Sequence, residues 1–147
     1  MNNIDFNTRG YKEYSLNGDE NAVIRFNPSD FNFRERLKQM DTDARKVFVE
    51  QGKFFEKRGK RLTNDEVFDK LNEADKAIRE IINKAFDSDI CTLAFGNANC
   101  LSFCGGKPMF INFLEAIVPA ISKDITEEKE KAEEIIKTYT DQAKNFK

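Results

Sequence analysis

The stretch TNDEVFDKLNEADKAIREIINKAF, residues 63–86, decides the fold class of this chain. Thr63 and Glu66 stand three residues apart and form a capping box, in which the two side chains satisfy backbone N–H groups at a helix start. The apolar residues that follow recur at spacings of four and three, which places them on one face of an α-helix: Val67, Leu71, Ala74, Ile78, Ile81 and Ala85. The sequence therefore predicts an amphipathic helix over residues 65–86 that packs against other helices.

The segment before this helix is also helical in pattern. Ser29 or Asp30 can cap its start by accepting a backbone N–H. Gly52 predicts a bend or an early end, because glycine costs about 1 kcal/mol in a helix interior relative to alanine, and Gly59 is the predicted stop. Its apolar face is given by Phe33, Leu37, Met40, Ala44, Val47, Phe48 and Phe55, with Gln51 on the same side.

The N-terminal region has a different pattern. Two short runs, residues 11–16 and 22–26, flank Asn17-Gly18, a pair that favours the tight turn of a β-hairpin because both central residues need positive φ. Five residues separate the runs, so a longer loop is the alternative. We predict a hairpin here.

The C-terminal third predicts two helices. Pro108 suits the first position of the first one, where its missing N–H is no loss. Residues 109–121 are apolar on most sides, so we expect them to be deeply buried. Pro119 predicts a kink or an end, and Thr126 predicts a new cap. The last helix carries a narrow apolar seam: Ala132, Ile136, Tyr139, Ala143 and Phe146.

These elements predict a mainly α protein, a helical domain with a small N-terminal β-hairpin. The 147 residues suffice for one domain with its own core and are short for two. We expect residues 1–28 to form the hairpin region and residues 29–147 the helical region of a single domain.

The composition argues against a catalytic or metal site. Histidine, the commonest general base and metal ligand, does not occur. Cys91, Cys100 and Cys104 are spaced by nine and four residues. A structural zinc site usually has four Cys or His ligands, at least two of which lie close together in the sequence. The sequence favours free thiols packed as small apolar groups, no cofactor and no enzyme.

The glycine-rich loop FGNANCLSFCGGKP, residues 95–108, resembles a phosphate-binding loop only in its CGGK. Leu101 stands where the first glycine of that motif belongs, and Pro108 stands where Ser or Thr must follow the lysine. We therefore expect Gly105 and Gly106 to turn the chain. DTD at 41–43 and DSD at 87–89 begin like calcium loops but lack the later glycine and glutamate.

The net charge of −2 conceals a split. Residues 34–62 carry ten Lys/Arg and five Asp/Glu, whereas residues 63–90 carry four and eight. This split can support self-association, or two adjacent helices can neutralise each other. The basic cluster Lys57, Arg58, Lys60 and Arg61 is a candidate phosphate contact, but the sequence pI of about 5.4 disfavours nucleic acid as a partner.

No targeting or membrane signal is evident. The start, MNNIDFNTRG, lacks the basic and then apolar profile of a signal peptide, and no apolar run approaches the roughly 18 residues that span a bilayer. We expect a cytoplasmic protein that does not bind membranes.

Two stretches resemble the tail assembly chaperones of long-tailed phages and prophages of Gram-positive bacteria. They are SLNGDENAVIRFNPSDFNFRERL, residues 15–37, and AFGNANCLSFCGGKPMFINFLEAIVPAI, residues 94–121. The second contains Phe95-Gly96, Gly106, Pro108, Asn112-Phe113-Leu114 and Pro119 in the order typical of that family. Together the two stretches cover about a third of the chain.

The resemblance implies a non-enzymatic, mostly helical, often oligomeric protein of the host-cell cytoplasm. Such a protein coats the tape measure protein while the tail tube assembles, and the major tail protein is a further possible partner. The alternatives are a nucleic-acid-binding phage accessory protein that uses the Lys57–Arg61 cluster, and a structural component of the virion.

A chaperone of a helical client needs apolar anchors at helical spacing. The seam at residues 132–146 supplies candidates for such anchors. The alternative is that these residues form an ordinary core stripe. The candidate partner-binding residues are Ile136, Tyr139, Phe146, Lys57, Arg58, Lys60 and Arg61. We expect no catalytic, cofactor-binding or metal-binding residue.

Overall fold

A computed structural model describes residues 1–8, 10–58 and 61–145. Within these residues the chain forms a hairpin of strands β1 (Lys12–Leu16) and β2 (Asp19–Phe26), then helices α1 (Phe31–Arg58), α2 (Asn64–Phe86) and α3 (Ile90–Phe95). A two-residue ladder of β3 (Phe103–Cys104) and β4 (Lys107–Pro108) leads into the last helix, α4 (Met109–Asn145). The predicted class, mainly α with an N-terminal β-hairpin, is confirmed.

The hairpin turns at the predicted dipeptide. Asn17 and Gly18 have φ values of 53° and 74°, so the tight two-residue turn forms and the longer loop does not. β1 and β2 pair antiparallel, with Tyr14 opposite Ile24. Alternate residues of β2 face the core, and Ala22, Ile24 and Phe26 are buried.

The two long helices α1 and α2 form an antiparallel pair. At one end the rings of Phe33 and Phe86 meet edge to face, 5.5 Å between centroids. At the other end Gln51 Nε2 donates to the carbonyl oxygen of Lys70 over 3.1 Å. The oppositely charged segments of the sequence are therefore neighbours within one chain.

The helix ends follow the sequence signals in part. Thr63 caps α2 and accepts the N–H of Glu66 over 3.2 Å, and Asp30 accepts the N–H of Asn32 at the start of α1 over 3.0 Å. α1 continues through Gly52 to Arg58, so the glycine does not end it early. Gly59, the predicted stop, lies outside the described residues.

Helix α4 corrects three predictions. It begins at Met109, and Pro108 belongs to β4 opposite Phe103, because the N–H groups of Met109 and Phe110 bind loop carbonyls at Ser102 and Cys100. The other two corrections concern its length and its burial.

Of the kink or end predicted at Pro119, the end is wrong, and so is the cap predicted at Thr126, because α4 is one helix of 37 residues. Pro119 cannot donate to the carbonyl of Glu115, but both residues are exposed, so water can satisfy that oxygen. Thr126 consequently lies in the helix interior.

The expected deep burial of residues 109–121 holds only in part. One narrow stripe of the helix is exposed, formed by Asn112, Glu115, Ala116 and Pro119, and the other residues are buried or half-buried. All major elements contribute to one core cluster, whose members include Ile24, Phe26, Phe33, Leu37, Ile78, Ile82, Phe86, Phe110, Leu114 and Ile121.

Candidate protein-binding surface

The second half of α4 extends past the core. We call residues 126–145 the arm, and residues 109–125 the core segment of α4. No described residue after Ile125 is buried. Ile136 and Tyr139, two predicted partner-binding residues, are 62% and 69% exposed, and Ile135 is 57% exposed. The arm is about 30 Å long at 1.5 Å per residue.

The exposed apolar residues of the arm continue the buried face of the core segment. Helical residues advance by 100° each, and at that step the two sets share one side of α4. The buried members are Phe110, Leu114, Ile117, Ile121 and Ile125, and the arm members are Ala132, Ile135, Ile136 and Tyr139. The seam is therefore the continuation of the core-facing stripe of α4 beyond the end of the core.

An ionic cluster around the buried carboxylate of Asp124 lies just before the arm. Asp124 is 5% exposed; its carboxylate accepts from Lys12 Nζ over 2.6 Å and from the Tyr14 hydroxyl over 2.5 Å. Burial favours a raised pKa for Asp124, but the hydrogen bonds from Lys12 and Tyr14 outweigh it and hold the pKa below its ordinary value. One turn on, Glu128 accepts from the Ser29 hydroxyl over 3.3 Å.

The other open end of the molecule is the turn between α1 and α2. We call residues 49–58 of α1 and 64–70 of α2 the hairpin tip. No described residue between Ala44 and Ala74 is buried. Phe54 and Phe55 are half-buried, and their rings meet edge to face. Phe68 is 62% exposed.

Of the predicted basic cluster, the structure describes two side chains. Lys57 at the hairpin tip and Arg61, between the two segments of the tip, are exposed. The side chain of Arg58 and all of Lys60 lie outside the described residues, as does Phe146 at the end of the seam.

The arm and the hairpin tip lie at opposite ends of α1. The Phe48 ring meets that of Phe110, 5.7 Å between centroids, whereas Ser29, just before α1, contacts Glu128. α4 is thus antiparallel to α1 and leaves the core beside its N-terminus. The described candidates therefore lie on two separate surfaces, Ile136 and Tyr139 on the arm, and Lys57 and Arg61 near the hairpin tip.

The glycine-rich loop 95–108 is tied to α2 by polar contacts. Asp75 Oδ1 accepts the N–H of Cys100 over 2.8 Å and the Nε–H of Arg79 over 3.0 Å. Arg79 also donates to the carbonyls of Gly96 and Ala98, over 3.1 and 2.6 Å, and Asn99 donates to the Leu71 carbonyl. Gly105 and Gly106, at φ 65° and 83°, turn β3 into β4, as predicted.

The cysteines differ in environment. Cys91 and Cys100 are buried and Cys104 is exposed, all as free thiols. Burial raises the pKa of Cys91 to about 12, and burial together with a hydrogen bond to Asp75 raises the pKa of Cys100. Among residues 1–8, 10–58 and 61–145, no three His, Cys, Asp or Glu side chains cluster as metal ligands would.

Sequence reasoning missed two members of these surfaces. Ile135 adjoins the seam and was not assigned to it, although its apolar character next to Ile136 is a signal. Phe68 borders the apolar stripe of α2 in the sequence pattern, which favours a core position, whereas in the structure it is 62% exposed.

Within the described chain, no helix is both long and apolar enough to cross a membrane. Compared with known protein families, with curated proteins and with solved structures, the chain shows no match. The resemblance to tail assembly chaperones therefore stays a prediction.

Proposed function

We propose that this chain is a non-enzymatic tail assembly chaperone of a long-tailed phage or prophage, which binds the tape measure protein in the host cytoplasm. The observation that carries the proposal is the arm, a helix that extends past the core with Ile135, Ile136 and Tyr139 exposed on its continuing apolar face. Isolated exposed apolar residues are ordinary, but a stripe at helical spacing is a contact surface for another helix.

The chemistry of the rest of the chain is consistent with a binding role. The two buried thiols are held protonated at neutral pH by burial, and a protonated thiol is a poor nucleophile and a poor metal ligand. The polar groups of the loop 95–108 are engaged in fastening that loop to α2. These side chains fit packing better than reaction.

The properties of a tape measure protein suit the exposed apolar face of the arm. A tape measure protein is long and helical, and before the tube encloses it, its apolar stripes face water. An amphipathic arm can cover such a stripe through anchors at i, i+3 or i+4 and i+7, and its alternating Glu and Lys keep the complex hydrated. Residues 127–134 contain five Glu and two Lys.

The test is co-expression of the tagged chain with the tape measure protein of the same genome. We expect soluble co-purification that Ile136→Ala with Tyr139→Ala abolishes and that Lys137→Ala, on the opposite side of the arm, leaves intact. Co-purification that survives the double substitution contradicts the proposal.

Mass spectrometry of finished virions separates the proposal from its structural rival. A chaperone is absent from the particle, whereas a virion component is present in it. Nucleic-acid binding has a separate signature, a steep loss of affinity with salt and on Arg58→Ala with Arg61→Ala, and we expect no binding to DNA or RNA at low salt.

A further inference from the structure

A cleft of about 500 Å³ lies between strand β1 and helices α3 and α4, and none of the described residues that line it is charged. Outside the cleft, residues 1–8 carry two large apolar side chains, Ile4 and Phe6, which are 83% and 77% exposed. We call residues 1–8 the strap. We propose that the strap folds back along β1 as a third strand and closes the cleft, in equilibrium with the open arrangement of the structure.

The strap has the pattern of a strand with one apolar side. Asn3 Nδ2 donates to Asp5 Oδ1 over 2.9 Å, so these two polar side chains lie together on one side of the chain. Successive side chains of an extended chain point to opposite sides, which places Ile4 and Phe6 together on the other side. All of residues 1–8 are exposed, so the described chain leaves this apolar side open.

One wall of the cleft is an edge of β1. Three consecutive residues of this strand, Tyr14, Ser15 and Leu16, line the cleft. Because consecutive strand residues point to opposite faces, a cleft that all three of them line runs along the edge of the strand. Within the described chain β1 pairs with β2 alone, so its other edge carries backbone N–H and C=O groups that an added strand can bind.

The opposite wall is apolar and has room for side chains. The rings of Phe95 in α3 and Phe113 in α4 meet edge to face there, 5.6 Å between centroids. Ala116 and Ala120 of α4 also line the cleft, and their short side chains leave space above the helix. The apolar side of the strap fits this wall, whereas Asp5 on the other side would lose its hydration there without gaining an opposite charge.

The connection between the strap and β1 has the length that a hairpin needs. Antiparallel pairing with Thr8 opposite Lys12 leaves three residues between the two strands, which is within the usual range for hairpin loops. Gly10 lies in this connection and packs closely on the body of the molecule, because a Cβ built on it would stand 3.3 Å from Ser29 Oγ. The strap therefore begins beside the start of β1.

This register also places the apolar side of the strap correctly. With Thr8 opposite Lys12, Phe6 stands opposite Tyr14 and Ile4 opposite Leu16. Tyr14 and Leu16 are the half-buried residues of β1 that pack against the core. The apolar side of the strap thus extends the core-facing side of the sheet. A shift by one residue would turn the polar side of the strap toward the cleft.

Opposing free-energy contributions keep the strap between the two arrangements. Closing buries two large apolar side chains and adds hydrogen bonds along the edge of β1. It also fixes the backbone of at least five residues, and this loss of conformational entropy is of similar size. Any molecule that binds the cleft therefore shifts the equilibrium toward the open arrangement.

The thiol of Cys104 is a probe of closure, because it lines the cleft and is exposed in the open arrangement. Cys91 and Cys100 are buried, and burial raises the pKa of both thiols. An aromatic disulfide reagent therefore reacts first with Cys104 in the folded chain. The measurement is the rate of this first reaction in the full chain at low protein concentration, and its loss in Cys104→Ser verifies the assignment.

We expect Ile4→Ala with Phe6→Ala to raise the rate at least about threefold, because the closed arrangement is depleted. Asn3→Ala with Asn7→Ala, on the polar side of the strap, is the matched control and leaves the rate unchanged. A rate that the Ile4 and Phe6 substitutions leave unchanged overturns the proposal. So does a wild-type rate that falls as the protein concentration rises, since a second copy then covers the cleft. Circular dichroism verifies that each variant is folded.

Hydrogen exchange provides a second measurement that does not depend on the thiol. We expect the amides of residues 4–8 to exchange more slowly in the wild type than in the variant with Ile4→Ala and Phe6→Ala, because only the closed strap is paired with β1. Equal exchange in the two proteins overturns the proposal.

The inference does not rest on the proposed function, because the strap and the cleft are separate from the arm. Ile136→Ala with Tyr139→Ala in the arm leaves the reaction rate of Cys104 unchanged. Failure of strap closure leaves client binding untouched, and failure of co-purification leaves the thiol measurement untouched.

Discussion

The two parts of α4 have the same helical period and opposite surroundings. Leu114 and Ile121 in the core segment are fully buried, whereas Ile136 and Tyr139 on the same face of the arm are more than half exposed. The pattern of apolar residues determines which side of the helix is apolar. The tertiary partner decides whether that side becomes core or remains an open surface.

The difference arises where α1 begins and the β-hairpin contacts α4. The carboxylate of Asp124 binds Lys12 and Tyr14 of the β-hairpin. One turn further on, Glu128 makes the last described hydrogen bond between α4 and another part of the chain, with Ser29. Past that point no described residue of the helix is buried. A polar cluster therefore marks the boundary between the two parts.

The largest effect separates the two parts by stability. Leu114→Ala opens a cavity in the core and lowers the free energy of unfolding by about 2–5 kcal/mol, whereas Ile136→Ala on the same face changes it by less than about 0.5 kcal/mol. Urea titration at low protein concentration measures both. Equal losses for the two variants would show that the arm is packed like the core.

The boundary cluster comes next in size. Asp124→Asn removes the charge that Lys12 and Tyr14 bind, and we expect a loss of about 1–3 kcal/mol in the free energy of unfolding. Ser122→Ala, a neighbouring substitution at an exposed position, is the control. A neutral result for Asp124→Asn would remove the cluster as the anchor of the arm.

The same cluster has a pH signature. Because the pKa of Asp124 is lower in the folded state than its ordinary value of 3.8, its contribution is fully present well above pH 3.8 and disappears as the pH falls through the folded-state value. The stability difference between the wild type and Asp124→Asn should therefore shrink on acidification below pH 3.8. A difference that grows with acid contradicts this assignment.

Much of the fold could be predicted because its signals are local. The Thr63 capping box, the Asn17-Gly18 turn and the glycine turn at 105–106 each act through backbone groups within a few residues. The helical period of residues 63–86 likewise needs no distant partner to be recognised.

The errors concern α4, where local signals compete with tertiary ones. Pro119 and Thr126 are legitimate signals of a helix end and a helix start, but the contacts of Phe110, Asp124 and Glu128 with three other parts of the chain carry one helix through both positions. The exposed seam could be found from its spacing. That it lies outside the core, and that Phe68 is uncovered, depends on which elements the fold places beside them.

Substitutions of two threonines test the same contrast between local and tertiary signals, with a smaller expected change in stability. Thr63→Ala removes the cap of α2 and should cost about 1 kcal/mol in the free energy of unfolding, whereas Thr126→Ala, inside α4, should change it by a few tenths at most. Thermal or urea unfolding of the two variants compares them directly. A full kcal/mol lost at Thr126 would indicate that a helix does begin there.

Hydrogen exchange along α4 tests the central claim most directly, that one continuous apolar face is core up to Ile125 and an open surface beyond it. At low protein concentration we predict strong protection of the amides of residues 113–125, apart from Pro119, which has none, and fast exchange over residues 129–143. Uniform protection along the whole of α4 in the dilute monomer would contradict the account, because the arm would then be packed against its own chain.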